Sequence, residues 1–311
     1  MLYPKKIVSK IGGLRNIRMG IREMLVRFPI NVTKPTMLTL RWGESDLPNS
    51  VGLGTKKSLA EFQQLIAEFV QHSGPFIVRI LAMENANDPD IPKLLRFAHR
   101  LDCLTELVVN GENITQENAL DLVGSGVQKI WITIGGVSAH VHRLSTGLDI
   151  EQTTLALRYL LTAAKEHHPE NPTSIGVLVP WEKESPTEMS AIRSWVEEMG
   201  VAQVHILFPF FGKNLAKESL PQHQYLSKML EKILQDDSDK PGWSRKDPLF
   251  CPVGNKRLEV SKTGKICSCP FKTSIAWQRE SFVDIWQNLA DHRKEISNCN
   301  RVCLHRELQS W

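Results

Sequence analysis

From residue 36 the chain alternates between short β-rich apolar runs and longer stretches with helical periodicity. The runs lie at 36–41, 76–82, 105–109, 129–134, 174–179 and 203–208, and the helical patterns at 58–72, 91–101, 115–123, 150–168 and 187–199. Six strands with five helical crossovers predict parallel βα units, because a parallel pair needs a crossover of a dozen or more residues. Strands covered by helices bury both faces, so these runs are expected to be apolar on both. The predicted fold class is α/β, a partial parallel (β/α)6 TIM-like barrel with a small C-terminal cysteine-rich metal-binding domain.

Outside that alternation lie three other segments. Near the N-terminus Ile17, Ile21, Leu25 and Phe28 recur at helical spacing, with Arg15, Arg18, Arg22 and Arg27 largely off that stripe. This is a basic amphipathic helix, suited to capping a domain, to contacting an anionic surface or to docking an acidic peptide. Residues 213–245 interrupt the βα pattern and end in a polar loop with Asp236, Asp237, Pro241 and Gly242. Further on, β-prone residues flank Thr263-Gly264, which predicts a hairpin turning at a glycine that tolerates positive φ. The expected organisation is a basic helical segment (1–34), a partial barrel (35–212), a helical linker (213–245) and a cluster domain (246–311).

Composition narrows the class. The chain has 311 residues, 41% hydrophobic and 23% charged, which suits one or two globular domains. No apolar run reaches the roughly 18 residues of a membrane span, and no signal peptide is evident, so a cytoplasmic location is expected. The net charge of +4 is concentrated at the start: nine Lys and Arg face only Glu23 within the first 41 residues. One basic helix is not a specific nucleic-acid signal. Neither a phosphate-binding glycine loop nor a serine nucleophile elbow is present.

Five of the six cysteines, Cys251, Cys267, Cys269, Cys299 and Cys303, crowd the last 61 residues, leaving only Cys103 elsewhere. The predicted hairpin brings Cys251 and Cys269 together, and Cys299 and Cys303 share one face if their segment is helical. Two converging pairs make a four-thiolate site, with Cys267 as a possible alternative ligand. Soft thiolates select zinc or an iron–sulfur cluster. The paired Cys-x-x-Cys knuckles of zinc ribbons are missing, which favours one 4Fe-4S cluster, with zinc as the alternative.

In parallel βα folds ligands sit at the C-terminal ends of the strands, so the residues leaving each strand are candidates. Glu84, Asn110 and the small pair Gly135-Gly136 are expected to face one mouth. Trp42, Trp181, Phe210 and Phe211 could line a groove or plug the barrel, and His140 and His142 suggest a metal pair or two solvated histidines.

The exits carry a resemblance. Ile80-Leu81-Ala82-Met83-Glu84-Asn85, then Val108-Val109-Asn110-Gly111, then Ile132-Thr133-Ile134-Gly135-Gly136 with His142-Arg143 and Gly147 following, resembles the radical SAM enzymes. In that family the segments read Gly-Gly-Glu-Pro, Thr-Asn-Gly and Ile-Ser-Ile-Asp-Gly. Cys251, Gly264, Cys269, Cys299 and Cys303, with a helix near 282–286, are similar to the Twitch or SPASM extension that holds an auxiliary 4Fe-4S cluster.

The resemblance implies that Glu84, Asn110, Gly135 and Gly136 occupy vestigial S-adenosylmethionine positions. It also implies a role in peptide or natural-product maturation, with a peptide substrate or a partner maturase. The departure is equally specific. The family's Cys-x-x-x-Cys-x-x-Cys follows the first strand, and here residues 41–56 contain no cysteine. The pattern therefore points to a pseudoenzyme for which S-adenosylmethionine is doubtful: a scaffold, a binding partner or an electron relay. An enzyme binding S-adenosylmethionine or another small ligand for polar chemistry, with Glu84 as base, and a zinc-stapled binding protein are the alternatives.

Overall fold

The computed structural model describes residues 35–43, 56–167, 173–180, 185–201, 203–207, 257–267, 275–277 and 281–289. Six strands, β1 (Met37–Arg41), β2 (Ile77–Leu81), β3 (Leu104–Val109), β4 (Lys129–Thr133), β5 (Ser174–Pro180) and β6 (Gln203–Leu207), pair in parallel in sequence order. Helices α1 (Leu59–Ser73), α2 (Asp90–Arg100), α3 (Gln116–Gly124), α4 (Ala139–Thr146), α5 (Ile150–His167) and α6 (Ser185–Met199) lie in the connections. The βα alternation is as expected from the periodicity.

The hairpin also forms, and it does more than turn. Strand β7 (Arg257–Ser261) pairs antiparallel with β8 (Lys265–Cys267), which pairs with β9 (Ile275–Ala276), and Gly264 sits in the turn at φ +73°. At the same time β7 runs parallel to β1, with Thr39 opposite Glu259, so one sheet has the order β6-β5-β4-β3-β2-β1-β7-β8-β9. The last described helix, α7 (Phe282–Asn288), packs on α1. Its Phe282 ring lies 5.5 Å from that of Phe69, and its Phe282 N–H donates to Glu68 Oε2 at 2.6 Å.

Local chemistry sets the helix starts. Ser58 Oγ accepts from the Glu61 N–H while the Glu61 carboxylate accepts from the Ser58 N–H, a reciprocal cap for α1. That backbone N–H is the main reason the Glu61 carboxyl sits below its usual value. Thr115 and Asn118 cap α3 in the same way. Helix α4 was not expected, because of its residues only His142 is buried and no apolar stripe marks it. It ends at Gly147, in the left-handed region at φ +76°.

The main core lies between the sheet and the helices. Leu38, Leu40, Val78, Ile80, Leu107, Ile130, Ile132 and Val177 meet Phe62, Ile66, Leu94, Leu122, Leu157 and Leu160, all fully buried. Each such side chain contributes about 1.5–3 kcal/mol by leaving water. These residues occupy alternate strand positions, so the intervening ones lie on the face turned away from the helices.

Candidate functional site

That second face is not apolar, contrary to the expectation from the strand runs. Register places Thr39, Arg79, Glu106 and Lys129 in one row across β1 to β4, with Glu259 beside Thr39 on β7. Glu259, 1% exposed, receives Arg41 Nη2 at 2.7 Å and Arg257 Nη2 at 2.6 Å. Arg79 donates to Glu106 at 2.6 Å from Nη2 and 2.7 Å from Nε. Buried charges persist only when paired and hydrogen-bonded, and each carboxylate here has a guanidinium.

Toward the strand ends the same face turns apolar. Val108, Trp131 and Leu178 form a cluster of their own, with Leu81 and Met83 against it. The Trp131 ring stands 5.4 Å from that of His205 and lies so close over Gly176 that a Cβ there would come within 2.4 Å of it. Glycine on β5 is therefore demanded by the indole, not by the strand.

The exits are held by the chain's own contacts. After β1, Trp42 is 1% exposed and donates from Nε1 to Asp88 Oδ2 at 2.8 Å. Lys262, from the β7–β8 turn, pairs with the same Asp88 at 2.7 Å and stacks 4.6 Å over the indole. Partial burial pushes the Asp88 carboxyl up, but the Lys262, Asp90 and Trp42 donors outweigh it and hold the group below its ordinary value. Trp42 thus plugs the β1 exit. Trp181, Phe210 and Phe211 lie outside the described residues.

Of the predicted mouth positions, Glu84 is exposed, and its carbonyl accepts from Asn113 Nδ2 at 3.3 Å. Buried Asn110 turns its Oδ1 back to the Glu112 N–H at 2.9 Å, an Asx turn that leads into Gly111 at φ +88°. A Cβ on Gly135 would meet Ser145 Cβ at 2.3 Å, and one on Gly136 would meet Val141 Cγ1 at 2.8 Å. The space beside both glycines is taken by α4, not left to a ligand. Glu188, from α6, accepts from the Ser138 N–H at 3.0 Å and the Val137 N–H at 2.8 Å, and these bonds, Ser138 first, hold its carboxyl below the usual range.

The two histidines do not form a pair. His140 is exposed, whereas His142 is fully buried, its Nδ1 accepting from the Gly135 N–H at 3.3 Å and its Nε2 lying 3.0 Å from Thr153 Oγ1. An Nδ1 that accepts puts the proton on Nε2, so the ring is the neutral Nε2–H tautomer, and burial pushes its pKa down. Thr153 Oγ1 continues the relay to the Asn110 carbonyl at 3.4 Å, tying the β3 exit to the β4 exit.

Cys267 is buried on β8 opposite Glu259, and Cys103 is buried just before β3. Cys251, Cys269, Cys299 and Cys303 lie outside the described residues. Among the described residues no group of three or more His, Cys, Asp or Glu is arranged to hold a metal. Nor, among them, is any helix long and apolar enough to cross a membrane. On the outer surface a cavity of about 280 Å³ lies between α3 and α5, lined by Leu120, Leu155 and Tyr159 among others.

No family model and no curated protein matches the chain. Solved structures do. SuiB of Streptococcus suis bound to S-adenosylmethionine aligns at a TM-score of 0.62 with 13% identity, covering 99% of this chain and 77% of SuiB. The fold is of the radical SAM type. SuiB bound to its precursor peptide SuiA aligns at 0.57 with 12% identity, over 92% of this chain and 72% of SuiB. Tagged anSMEcpe with bound AdoMet aligns at 0.50 with 13% identity, over 88% of each chain.

Against this radical SAM-type frame, the residues that sequence reasoning missed are the charges of the face turned away from the described helices: Arg79, Glu106, Arg257 and Glu259. Their signal was present, since a charged residue inside an otherwise apolar strand is costly unless paired. What was not visible was which strands bring the partners together.

Proposed function

We propose that the chain is an accessory protein of radical SAM type that binds a peptide or a peptide-maturing partner, without reductive cleavage of S-adenosylmethionine. The observation that carries the reading is the β1 exit. On a parallel sheet of this type, residues 41–56 contain no cysteine, and Trp42 with Asp88 and Lys262 closes the start of that segment. Three thiolates are needed there to hold a reducing cluster with an open iron site. SuiB, a structural neighbour, has been solved with a precursor peptide, which supports a peptide as the ligand class.

Helix α4 packs beside Gly135 and Gly136 and Asn110 caps its own turn, and these contacts support the reading that S-adenosylmethionine is not the ligand at these positions. Glu84 as a base is not favoured, since nothing around it shields a proton transfer from water. Cys251, Cys269, Cys299 and Cys303 are the proposed ligands of one 4Fe-4S cluster, which would supply electron transfer or a structural anchor when bound. Cys267, buried in β8, is assigned to packing.

Anaerobic purification with iron, sulfide and zinc quantified in one sample tests the cluster. About four irons and four sulfides per chain are expected. One zinc without sulfide overturns the cluster assignment. Incubation with S-adenosylmethionine and a strong reductant is expected to yield no 5′-deoxyadenosine, and its formation would overturn the accessory role.

A further inference from the structure

We infer that the groove between α3 and α5 is the docking site for this chain's own basic amphipathic segment, residues 15–28. The inference is independent of the peptide-binding reading. The groove is open: Leu120 at 39% and Leu155 at 48%, two of the five large apolar side chains exposed among the described residues, stand on its opposite walls. With half-buried Tyr159 and buried Ala163 they line a cavity of about 280 Å³, and every residue of that lining is described. Apolar side chains gathered along a groove mark an interaction site, whereas single ones scattered over a surface do not.

The segment fits the groove in length and in charge. On α5 the lining runs from Leu155 to Glu166, roughly 16 Å of helix axis. In the segment Ile17, Ile21, Leu25 and Phe28 form one stripe, and Phe28 follows Ile17 at the same separation as Glu166 follows Leu155. Helices α3 and α5 present Glu117, Asp121, Glu151 and Glu166 against Arg158 and Lys165, and Glu117, Asp121 and Glu166 make no ion pair among the described residues. The segment carries Arg15, Arg18, Arg22 and Arg27 against Glu23, so its charge is opposite to that of the groove.

The connection is long enough. Helix α5 leads into β5, so its Glu166 end lies at the end of the sheet where β1 begins. The groove sits over β4, which α3 enters and α5 leaves. Three strand spacings and one helix layer put its near end about 20 Å from the start of β1, and the stretch from Phe28 to Pro35 reaches up to about 24 Å. Phe28 therefore meets the Ala163 end and Ile17 the Leu155 end, antiparallel to α5. Gly20 and the shortness of the segment make it a marginal helix in water, so burial in the groove is what orders it.

The test is limited trypsin digestion of the full chain, with cleavage after Arg18 followed by mass spectrometry against an isotope-labelled peptide of residues 13–30 in the same tube. The chain is expected to be cut at least about tenfold more slowly than the free peptide, since proteolysis tracks the undocked population. Leu120→Gln with Leu155→Gln, both at exposed helical positions, should bring the rate up to that of the peptide. Glu117→Gln with Asp121→Asn should raise it by a smaller factor. Cleavage of the wild type at the peptide's rate, or protection unchanged in Leu120→Gln with Leu155→Gln, overturns the inference. Protection that disappears on dilution assigns the groove to the segment of a second copy and overturns the intramolecular contact. Should the double variant fail to fold, Leu155→Gln alone decides by the same comparison. Ile21→Gln with Leu25→Gln leaves the groove intact and must release the segment as fully, judged against its own matching peptide; retained protection there also overturns the inference.

Discussion

Asp88 is the pin that closes the β1 exit, and removing it has a calculable cost. In Asp88→Ala the buried Trp42 Nε1–H loses its acceptor, a penalty of about 1–3 kcal/mol. The Lys262 ion pair goes as well. Its side chains are 19% and 21% exposed, so solvent screening keeps it to about 1 kcal/mol. Together the loss is about 3 kcal/mol. Asp88→Asn keeps an oxygen for Trp42 but gives up the charge and the Oδ1 acceptor of the Asp90 N–H, for about 1–2 kcal/mol.

Guanidinium denaturation of the three proteins at pH 7 separates these contributions. Lys262→Ala, alone and combined with Asp88→Asn, closes a double-mutant cycle on the pair. pH supplies a second readout. The folded carboxyl titrates below its ordinary value near 3.8, so its stabilisation is complete above that value and is lost as pH falls through the lower folded one. Asp88→Asn should lack this acid limb. Equal midpoints for Asp88→Ala and Asp88→Asn would refute the assignment of the larger share to Trp42.

Gly176→Ala forces a methyl group into the Trp131 ring, whose nearest atom would lie 2.4 Å from the new Cβ. It should cost about 1–3 kcal/mol and shift tryptophan emission, and a neutral effect on both would mean that the indole is not fixed over β5. His142 is held neutral with a lowered pKa, so stability should be level above the ordinary value near 6.5 and fall as pH drops below it. Melting curves of His142→Gln should show that segment flattened, and an unchanged slope would remove His142 as its source. Cys269→Ser should lower iron and sulfide per chain in anaerobic preparations, whereas Cys267→Ser should leave both unchanged; the reverse outcome would exchange the two roles.

Much of this molecule is written in local periodicity. Alternating apolar runs and amphipathic stretches are enough to predict six strands, their crossovers and a parallel sheet, because most elements carry their own hydrophobic period and some their own caps, such as Ser58 with Glu61. The hairpin at Gly264 is legible for the same reason, since one positive-φ glycine between β-prone runs defines the turn. Helix α4 escaped because its only buried side chain, His142, is held by hydrogen bonds to Gly135 and Thr153 rather than by an apolar stripe. The roles of Gly135 and Gly136 escaped too, since a glycine that admits a ligand and one that admits Ser145 or Val141 look the same in a sequence.

What the chain alone determined is therefore the six parallel strands, their main crossover helices, the hairpin at Gly264, the order of these elements and the cysteine pattern. Tertiary structure decided that β7 lies beside β1, which joins Arg41 to Glu259 across 218 residues and brings the isolated charges of separate strands onto one face. The physical reason is range: helix and strand periods are set by neighbours within a few residues, whereas strand pairing and charge compensation depend on contacts whose partners no local pattern names.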